Sequence, residues 1–441
     1  MNVLVYKRKK DRNVYYNVAK KISTDKVITV SEFRGLGEVW VGEFLYKESI
    51  IVEEFNYKKE FNACKEEVIK RCRFLRSLNE EIAERLLMKV WIGFDRLYRE
   101  RNIGLIFQPL IDNYTLDVMS RLAELHGIEV VSFVGHFFHG YFRISVRGEY
   151  NKIRSEIEFD EIKKVMNIVL KDDFKPTFDL MKKKSSLELI KRNIRRKIIE
   201  GVYYPIMKFI EGDPFNYHYN TIILKNGFLE RVSSKRFQYF DPIERVKTEK
   251  RKIVYWPLHM IPEATTDYWC QDLRDVDYEE SILDVIANSS KEVCFLIKEH
   301  PSMEGWRDVD FYKKLKKNEN VILLRSEVSS NWALNESSYV LVHTGSVGVE
   351  ALLRGKVVFT LTDNYYSRFH KNCVKARYIT KDLLEFVDSN LVNECDNEDE
   401  NIHFVESILM GLYPGCWNPI VPEKTTQGQL LEASYKFIRR K

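Results

Sequence analysis

Three short apolar runs in the second half of the chain constrain its fold more than any other feature. They are Ile253–Leu258, Val293–Ile297 and Tyr339–Val342, and helical patterns lie between them. Short apolar runs that alternate with helical patterns are typical of parallel β-sheets. We therefore predict an α/β domain with strands at 253–257, 293–297, 320–324, 339–342 and 357–361.

Each of the three runs ends at a polar segment of unusual composition. The segments are PLHMIPE (257–263), KEHP (298–301) and HTGSVGVEALLRGK (343–356). Ligands of parallel sheets bind beyond the carboxyl ends of the strands, where all three segments are expected. The candidate binding residues are His259, Lys298, His300, Thr344, Ser346 and Glu350, with Gly345 and Gly348 allowing the backbone to come close to a ligand.

The segment 343–356 is the most informative of the three. It predicts a tight turn at Thr344–Ser346 that leads into a helix ending at Leu353. A helix N-terminus offers backbone N–H groups and the positive end of the helix dipole, which suits a phosphate. Glu350 follows about one turn later, where a carboxylate can accept hydrogen bonds from a ribose or another sugar diol. The alternative is a plain strand–turn–helix connection with a solvated Glu350.

The two other segments each contribute a histidine. Pro301 disfavours helical geometry at His300, so Lys298 and His300 are expected to alternate to the same side of the chain. Such a pair suits a pyrophosphate or a nucleoside monophosphate, and the alternative is a structural histidine that caps a neighbouring loop. In PLHMIPE, His259 is the binding candidate, whereas Glu263 serves equally well as the first charge of a helix.

The composition is that of a soluble globular protein. The chain has 441 residues, of which 44% are hydrophobic and 31% charged, and this suffices for two hydrophobic cores. A net charge of +5 does not indicate a nucleic-acid partner, and the seven cysteines have neither metal-binding nor disulfide-framework spacing. No apolar run approaches the roughly 20 residues that span a bilayer, and the N-terminus resembles a strand, not a signal peptide. We therefore expect a reduced, cytoplasmic location.

Two Rossmann-like domains are predicted. The first contains a strand–helix–strand pattern at Ile103–Gln108, Asn113–His126 and Glu129–Val134, and the irregular basic segment 220–252 marks the junction. The predicted boundaries are 1–245 for the N-terminal domain, 250–410 for the C-terminal domain and 411–441 for a segment whose helix returns to the N-terminal domain.

In their order and spacing, the three polar segments resemble the C-terminal half of bacterial capsule polysaccharide biosynthesis proteins. These are GT-B glycosyltransferases that include the β-Kdo transferases of capsule and lipopolysaccharide assembly. The His-Pro pair of KEHP is also similar to that of bacterial sialyltransferases, in which the histidine contacts the phosphate of a CMP-sugar. The resemblance covers about residues 250–375, and PLHMIPE is closer to a surface-carbohydrate subgroup than to the Kdo transferases proper.

The resemblance implies a GT-B-like fold, in which the parallel sheets of two domains face a cleft. It implies a nucleotide-sugar donor, with a CMP-linked acidic sugar preferred over a UDP-sugar, and a glycan or lipid-linked glycan acceptor. By this resemblance, His300 holds the donor phosphate, the turn at Thr344–Ser346 adds backbone N–H groups, and Glu350 binds the ribose. No metal is implied, because the loops lack a DxD-like pair of carboxylates.

In such a transferase, the catalytic base and the acceptor contacts come from the N-terminal domain. Asp112, in the loop QPLIDN (108–113), is the candidate base, and N-capping of a helix is its alternative role. The segment GHFFHGYFR (135–143) supplies His136 as a base, phosphate ligand or packed ring. It also supplies Arg143, which suits a carboxylate or a phosphate.

The basic segment 181–197 and the activity each leave alternatives open. The segment has eight lysines and arginines beside leucine and isoleucine, which suits either anionic lipid at the inner face of the membrane or a solvated helix face. The activity is that of a glycosyltransferase, a sugar-nucleotide epimerase of the same architecture or a non-catalytic carbohydrate-assembly protein.

Overall fold

The computed structural model describes residues 1–9, 13–46, 55–171, 174, 191, 194–196, 198–220, 238–303, 306–390, 398–418 and 424–439. It has fourteen strands in these parts of the chain. They are β1 (Asn2–Tyr6), β2 (Val27–Ser31), β3 (Val39–Trp40), β4 (Ile103–Phe107), β5 (Glu129–Val131), β6 (Phe133–Gly135), β7 (Tyr141–Ile144), β8 (Lys252–Pro257), β9 (Val293–Lys298), β10 (Val321–Leu324), β11 (Tyr339–Val342), β12 (Val357–Thr360), β13 (Cys373–Lys375) and β14 (Tyr413–Pro414).

The α-helices of the same parts of the chain surround these strands. They are α1 (Val14–Ile22), α2 (Val41–Tyr46), α3 (Lys58–Arg71), α4 (Glu80–Glu100), α5 (Tyr114–Leu125), α6 (Phe159–Val169), α7 (Tyr204–Glu211), α8 (Glu244–Thr248), α9 (Ala264–Asp267), α10 (Tyr278–Asn288), α11 (Val309–Lys316), α12 (Ser330–Asn335), α13 (Val347–Leu353), α14 (Lys381–Asn390), α15 (Glu398–Leu409) and α16 (Gln427–Ile438).

The chain divides into two compact units. Unit 1 comprises Met1–Ile153, Ile199–Ile222 and Leu412–Lys441, and unit 2 comprises Arg154–Ile198 and Ile223–Gly411. This division differs from the predicted boundary at residue 245, because α6 packs against α15 and the backbone N–H of Arg154 donates to the carbonyl of Met410 at 3.0 Å. In unit 1, the C-terminal helix α16 packs against α1.

Unit 2 is built on a six-stranded sheet in the order β10-β9-β8-β11-β12-β13, and every pair of neighbours is parallel. Its strands are rich in Val, Ile, Leu and aromatic residues, and all six residues of β9 are buried. Such uninterrupted apolar strands belong to a sheet covered by helices on both faces. This order is that of a doubly wound, Rossmann-like fold, so the predicted α/β class is confirmed.

Unit 1 contains a five-stranded parallel sheet in the order β3-β2-β1-β4-β5 and a small antiparallel sheet, β14-β7-β6. The prediction of one strand over Glu129–Val134 is wrong. The chain leaves the parallel sheet at Ser132, and Phe133–Gly135 pairs with β7 instead. Consecutive apolar residues on both sides of Ser132 conceal this change of sheet in the sequence.

Among the described residues, no helix is long and apolar enough to cross a membrane. The predicted lipid-binding segment 181–197 falls for the most part outside the described residues.

Candidate functional site

The predicted binding site of unit 2 lies at the point where the sheet reverses its direction of winding. From β8 the chain proceeds to β9 on one side, whereas β11, the other neighbour of β8, leads to β12 on the opposite side. At such a reversal, the loops after the two central strands separate and leave a crevice for a ligand. These loops carry 258–263 and 343–346. The third segment, 298–301, begins at the end of β9. It lies next to the loop after β8, because the N–H of Leu258 donates to the carbonyl of Lys298 at 2.9 Å.

His259 is held at this crevice by its backbone and its ring. Its N–H donates to the Tyr278 hydroxyl at 2.7 Å, and its Nδ1 lies 3.7 Å from Oε2 of Glu263. Burial works to raise the pKa of Glu263, but the nearby His259 outweighs it and lowers that pKa. Nε2 of His259 comes within 3.5 Å of the place where a Cβ on Gly345 would stand. His259 therefore joins the loops after β8 and β11.

His343, which was not predicted as a site residue, packs beneath these loops. Its ring stacks on Trp256 at 5.7 Å and lies 4.8 Å from the ring of Tyr278 and 6.0 Å from that of His259. Both ring nitrogens lack a hydrogen-bond partner among the residues that the structure describes. Burial and the charge of His259 hold its pKa well below the usual range, so the ring is neutral.

His300 presents a hydrogen-bond donor. Its Nδ1 accepts the N–H of Ser302 at 3.0 Å, so a neutral ring carries its proton on Nε2. Burial lowers the pKa of His300 to about 4, against the opposing charges of Glu263 and Glu299. The charge of His259 acts in the same direction as burial. Lys298 differs from the expectation of an accessible cation, because as the last residue of β9 it is buried.

A buried ion pair supports both histidine loops and was not predicted from the sequence. Nε of Arg307 lies 2.8 Å from Oε2 of Glu299, and its Nη2 lies 3.2 Å from Oε1 of the same carboxylate. Nη2 also donates to the carbonyl of His259 at 2.6 Å, while the N–H of His300 donates to Glu299 at 2.6 Å. The Tyr312 hydroxyl completes the set with a 2.5 Å bond to Glu299. The segments after β8 and β9 thus share one buried anchor.

The turn between β11 and α13 has the predicted form. The helix begins at Val347 and ends at Leu353, as the sequence predicted. Thr344 is buried and its hydroxyl donates to the carbonyl of Thr265 at 3.4 Å. The backbone N–H groups of Gly345 and Ser346 meet no acceptor within the described ranges. These two donors are therefore available at the crevice.

Gly348 is needed by the protein itself. A Cβ at this position would stand 2.2 Å from the hydroxyl and 3.0 Å from the ring of Tyr366, which is buried. That hydroxyl donates to the carbonyl of Gly345 at 2.9 Å and so fixes the turn. The space beside Gly348, which was expected to admit a ligand, is therefore occupied by the side chain of Tyr366.

Replacing Gly348 by Ala is expected to lower the free energy of unfolding by about 1–3 kcal/mol, because the added methyl group overpacks the contact with Tyr366. Urea unfolding of the variant beside wild type measures the loss. Gly428→Ala is the matched control, since no atom lies within 4 Å of its added Cβ. Equal stabilities for the two variants would contradict the role given to Tyr366.

Glu350 is buried, which excludes the solvated alternative. It is only 6% exposed, and burial raises its pKa to about 7, with Arg354 acting in the opposite direction. The charge of Glu350 reaches Tyr255 on β8 and helps to raise the pKa of that phenol. The carboxyl group is thus enclosed by the protein.

The candidate base in unit 1 is engaged in an ion pair. Both oxygens of Asp112 accept from the guanidinium of Arg8, at 2.7 and 2.5 Å. The alternative role of Asp112 as a helix N-cap is wrong. Asn113 caps α5 instead, through a 2.9 Å bond from the N–H of Leu116 to its side chain.

His136 and Arg143 belong to the hairpin of β6 and β7 and not to a strand end of the parallel sheet. Burial, with the charge of Arg143, holds the pKa of His136 well below the usual range, and its Nδ1 accepts the N–H of Phe138 at 3.1 Å. Arg143 is buried and donates to the carbonyl of Gly148 at 3.1 Å. Both side chains have structural partners within the hairpin and its neighbouring loop.

Metal ligands do not cluster in the part of the chain that the structure describes: no group of three His, Cys, Asp or Glu side chains there can hold an ion.

Comparisons with known proteins support the family resemblance that the three polar segments indicate. Residues 217–369 match the family model described as "Capsule polysaccharide biosynthesis protein", whereas no curated protein matches the chain. Among solved structures, the chain is similar to Thermosulfurimonas dismutans KpsC, beta Kdo 2,7 transferase (TM-score 0.33, 11% identity, 78% of this chain and 89% of that one). It is also similar to UDP-GlcNAc 2-epimerase from Methanocaldococcus jannaschii (TM-score 0.26, 11% identity, 93% and 97%). Likenesses of this strength say nothing about activity. The family match, however, spans all three polar segments and confirms over residues 217–369 the resemblance to capsule polysaccharide biosynthesis proteins.

Proposed function

We propose that this protein is a glycosyltransferase of surface-polysaccharide biosynthesis and uses a nucleotide-activated sugar as donor. The family match over residues 217–369 carries the proposal, because that stretch contains the three loops that meet at the switch point of unit 2. A crevice with neutral histidines and free backbone N–H groups can stabilise a leaving phosphate without a cation. The acceptor is a glycan or a lipid-linked glycan.

The donor in this proposal is a CMP-linked acidic sugar. The Nε2–H of His300 and the N–H groups of Gly345 and Ser346 bind the phosphate, and Glu350 binds the ribose. His259 and Thr344 complete the contacts on either side of the turn, and Lys298 contributes positive charge from the end of β9. The His-Pro pair favours CMP over UDP.

A thermal-shift panel of CMP, CDP, UDP and GDP tests the base preference, since at equal concentration the nucleotide that binds the folded protein most tightly raises the melting temperature most. We expect the largest shift with CMP, followed by CMP release when a CMP-sugar and an acceptor are supplied, with or without chelator. Release of UDP or UMP but never CMP would assign a UDP-sugar donor. Turnover of a UDP-sugar without acceptor would indicate an epimerase, and nucleotide binding without any product would indicate an assembly protein.

Replacing His300 by Ala is expected to weaken nucleotide binding about 10- to 100-fold, the range of a lost hydrogen bond to a charged group. The variant should fold, because the residue lies in the loop after β9 and is not part of the hydrophobic core. Titration calorimetry with CMP measures the affinity. His403→Ala is the control, since the His403 side chain is 70% exposed on α15. Unchanged affinity in a folded His300→Ala variant would refute the assignment.

We also propose that unit 1 touches an anionic membrane surface. The helical stretch Ile199–Glu211 exposes an apolar stripe at helical spacing, with Phe209 89% exposed. Its members are Val202, Tyr203, Ile206, Phe209 and Ile210. The basic segment 181–197 precedes it in the sequence. An apolar stripe that follows a run of positive charge in the sequence is typical of a helix lying in the interface of anionic lipids.

The double variant Phe209→Glu with Ile210→Glu is expected to lower partitioning onto phosphatidylglycerol vesicles at least about tenfold, because two apolar contacts are replaced by charges that the lipid repels. Cosedimentation measures the bound fraction. Phe386→Glu is the matched control, since Phe386 is 54% exposed on α14 of unit 2. Equal binding by wild type and the double variant would contradict the proposal, and a change in oligomeric state would indicate a second copy as the partner.

A further inference from the structure

Unit 1 contains a buried carboxylate that is paired with a histidine. Glu32 follows β2 directly, and its carboxylate accepts from the Thr115 hydroxyl at 2.7 Å and from the Asn113 amide at 3.1 and 3.2 Å. Nε2 of His218 lies 2.7 Å from Oε2 of the same carboxylate. Burial works to raise the pKa of Glu32, but the nearby charges of His218 and Arg8 and the hydrogen bond from Thr115 outweigh it and lower that pKa. Glu32 is therefore an anion held by several donors.

His218 is oriented by its surroundings. It lies in the helical turn Tyr217–Tyr219, where its N–H donates to the Asn216 side chain at 2.9 Å. The amide of Asn216 in turn donates to the carbonyl of Glu32 at 2.8 Å. The imidazole stacks on Phe33, with ring centroids 4.9 Å apart and planes at 24°. Backbone, ring face and Nε2 are thus all fixed relative to Glu32.

The second ring nitrogen of His218 remains available. Nε2 lies 2.7 Å from Oε2 of Glu32 without the alignment of a hydrogen bond, and a proton on Nε2 leaves the lone pair of the neutral ring on Nδ1, which meets no partner among the residues that the structure describes. The side chain is 24% exposed. An imidazole with one nitrogen on a carboxylate and the other open is the arrangement of a general base whose conjugate acid is stabilised by the carboxylate.

The pair also lies at the end of the sheet where ligands bind. In the order β3-β2-β1-β4-β5, the winding reverses between β1 and β4, so a ligand is expected beyond their carboxyl ends. Glu32 follows β2 at this edge, and its partners Asn113 and Thr115 come after β4. A second pair serves as a contrast: His126 contacts Asp95 at 2.8 Å, but it ends α5 and precedes β5, at the opposite edge.

We propose that His218 is the general base that deprotonates the acceptor hydroxyl and that Glu32 is its positioning residue. This inference rests on the proposed glycosyltransferase function. The acceptor oxygen forms a bond to the anomeric carbon of the donor sugar, while the bond from that carbon to the phosphate oxygen breaks with its electron pair. The acceptor proton passes to Nδ1 of His218, and the nucleotide leaves as an anion. Glu32 stays ionised and stabilises the imidazolium.

Several charged and titratable groups surround the pair and contribute to its pH response. Arg8 acts on Glu32 through its charge, and Lys9 lies over the ring of Phe33 at 4.4 Å. The remaining groups are Tyr6, Asp112, Glu211, Asp213 and Tyr219. Because a histidine base must be neutral, kcat is expected to fall at acid pH as one proton is taken up.

The test is transfer activity in His218→Gln and Glu32→Gln, with His126→Gln as the matched control of a histidine paired with a carboxylate in the same unit. We expect His218→Gln to lose about 10²–10⁴-fold in kcat, the usual contribution of a general base, and to lose the acid limb of the pH profile. Nucleotide affinity should stay unchanged in all three variants. Glu32→Gln should show a smaller loss with a shifted acid limb, and added imidazole should restore part of the activity of His218→Gly.

Asp112→Asn separates this proposal from the base predicted from the sequence. If Asp112→Asn abolishes transfer while His218→Gln keeps its kcat and acid limb, the base is Asp112 and the proposal is overturned. If His218→Gln transfers sugar as fast as the wild type, this inference is overturned, but the proposed glycosyltransferase function is not. A wild-type protein that binds nucleotide but transfers no sugar overturns the proposed function and this inference with it. Thermal melting of each variant establishes that it is folded.

Discussion

Replacing Arg307 by Met is expected to be the most destabilising single change in unit 2, at about 3–5 kcal/mol, the usual effect of breaking a buried ion pair. Arg307 is buried and shares two contacts with the fully buried Glu299. Without the guanidinium, the donors that remain to the carboxylate in the described parts of the chain are the hydroxyl of Tyr312 and the N–H of His300. The uncompensated buried charge accounts for most of the loss.

Urea unfolding monitored by circular dichroism measures this effect. Arg274→Met is the matched control, because Arg274 also pairs with a carboxylate, that of Asp272, but its side chain is 63% exposed. Exposed ion pairs contribute little, so this control should behave like wild type. The double variant Glu299→Gln with Arg307→Met should lose less than the sum of its single changes, since both remove the same interaction. A loss no larger than that of the control would show that the pair does not hold the loops.

Arg307→Met is also expected to weaken nucleotide binding, even in the fraction that stays folded. Its Nη2 holds the carbonyl of His259, while Glu299 holds the backbone of His300. Loosening this anchor releases both histidine loops from the crevice. Binding that survives unchanged would show that the loops are positioned by the sheet alone.

The sheet of unit 2 could be predicted because its strands carry their own signal. The five predicted strands all appear as β8 to β12, within one or two residues of the expected bounds. Each is an apolar run, and a parallel sheet buried on both faces requires such runs. The edge strand β13 (Cys373–Lys375) was missed, because it has three residues and is only partly buried.

The ion-pair networks could not be predicted, because charged residues look alike in sequence whether they are solvated or buried. Glu299 stands inside KEHP and Arg307 eight residues later, yet nothing local indicates that both lie in the interior. Glu32 and His218 are 186 residues apart, and only the fold of unit 1 brings them together. The hairpin that carries His136 and Arg143 could not be predicted either, because the aromatic residues around them in the sequence do not distinguish a hairpin from a loop.

Replacing Glu350 by Gln is expected to stabilise the protein at pH 8 by on the order of 3 kcal/mol. Burial raises the pKa of Glu350 from its usual 4.5 to about 7. A carboxyl group whose pKa is raised in the folded state gives stability that is present below pH 4.5 and is lost as the pH rises through about 7. At pH 8 the buried carboxylate therefore lowers the free energy of unfolding of the wild type, whereas a neutral amide of the same size does not.

The same substitution is expected to weaken nucleotide binding about tenfold or more, because the carboxylate that we propose as the acceptor of two ribose hydroxyls is replaced by an amide with one acceptor oxygen. Unfolding experiments between pH 4.5 and 8 should show the stabilities of variant and wild type diverging as the pH rises. Glu385→Gln is the control, since the Glu385 side chain is 67% exposed. A gain in stability with full nucleotide affinity would assign Glu350 to the fold alone. A gain accompanied by lost affinity would mean that the protein keeps an unfavourable buried carboxylate for the sake of its ligand.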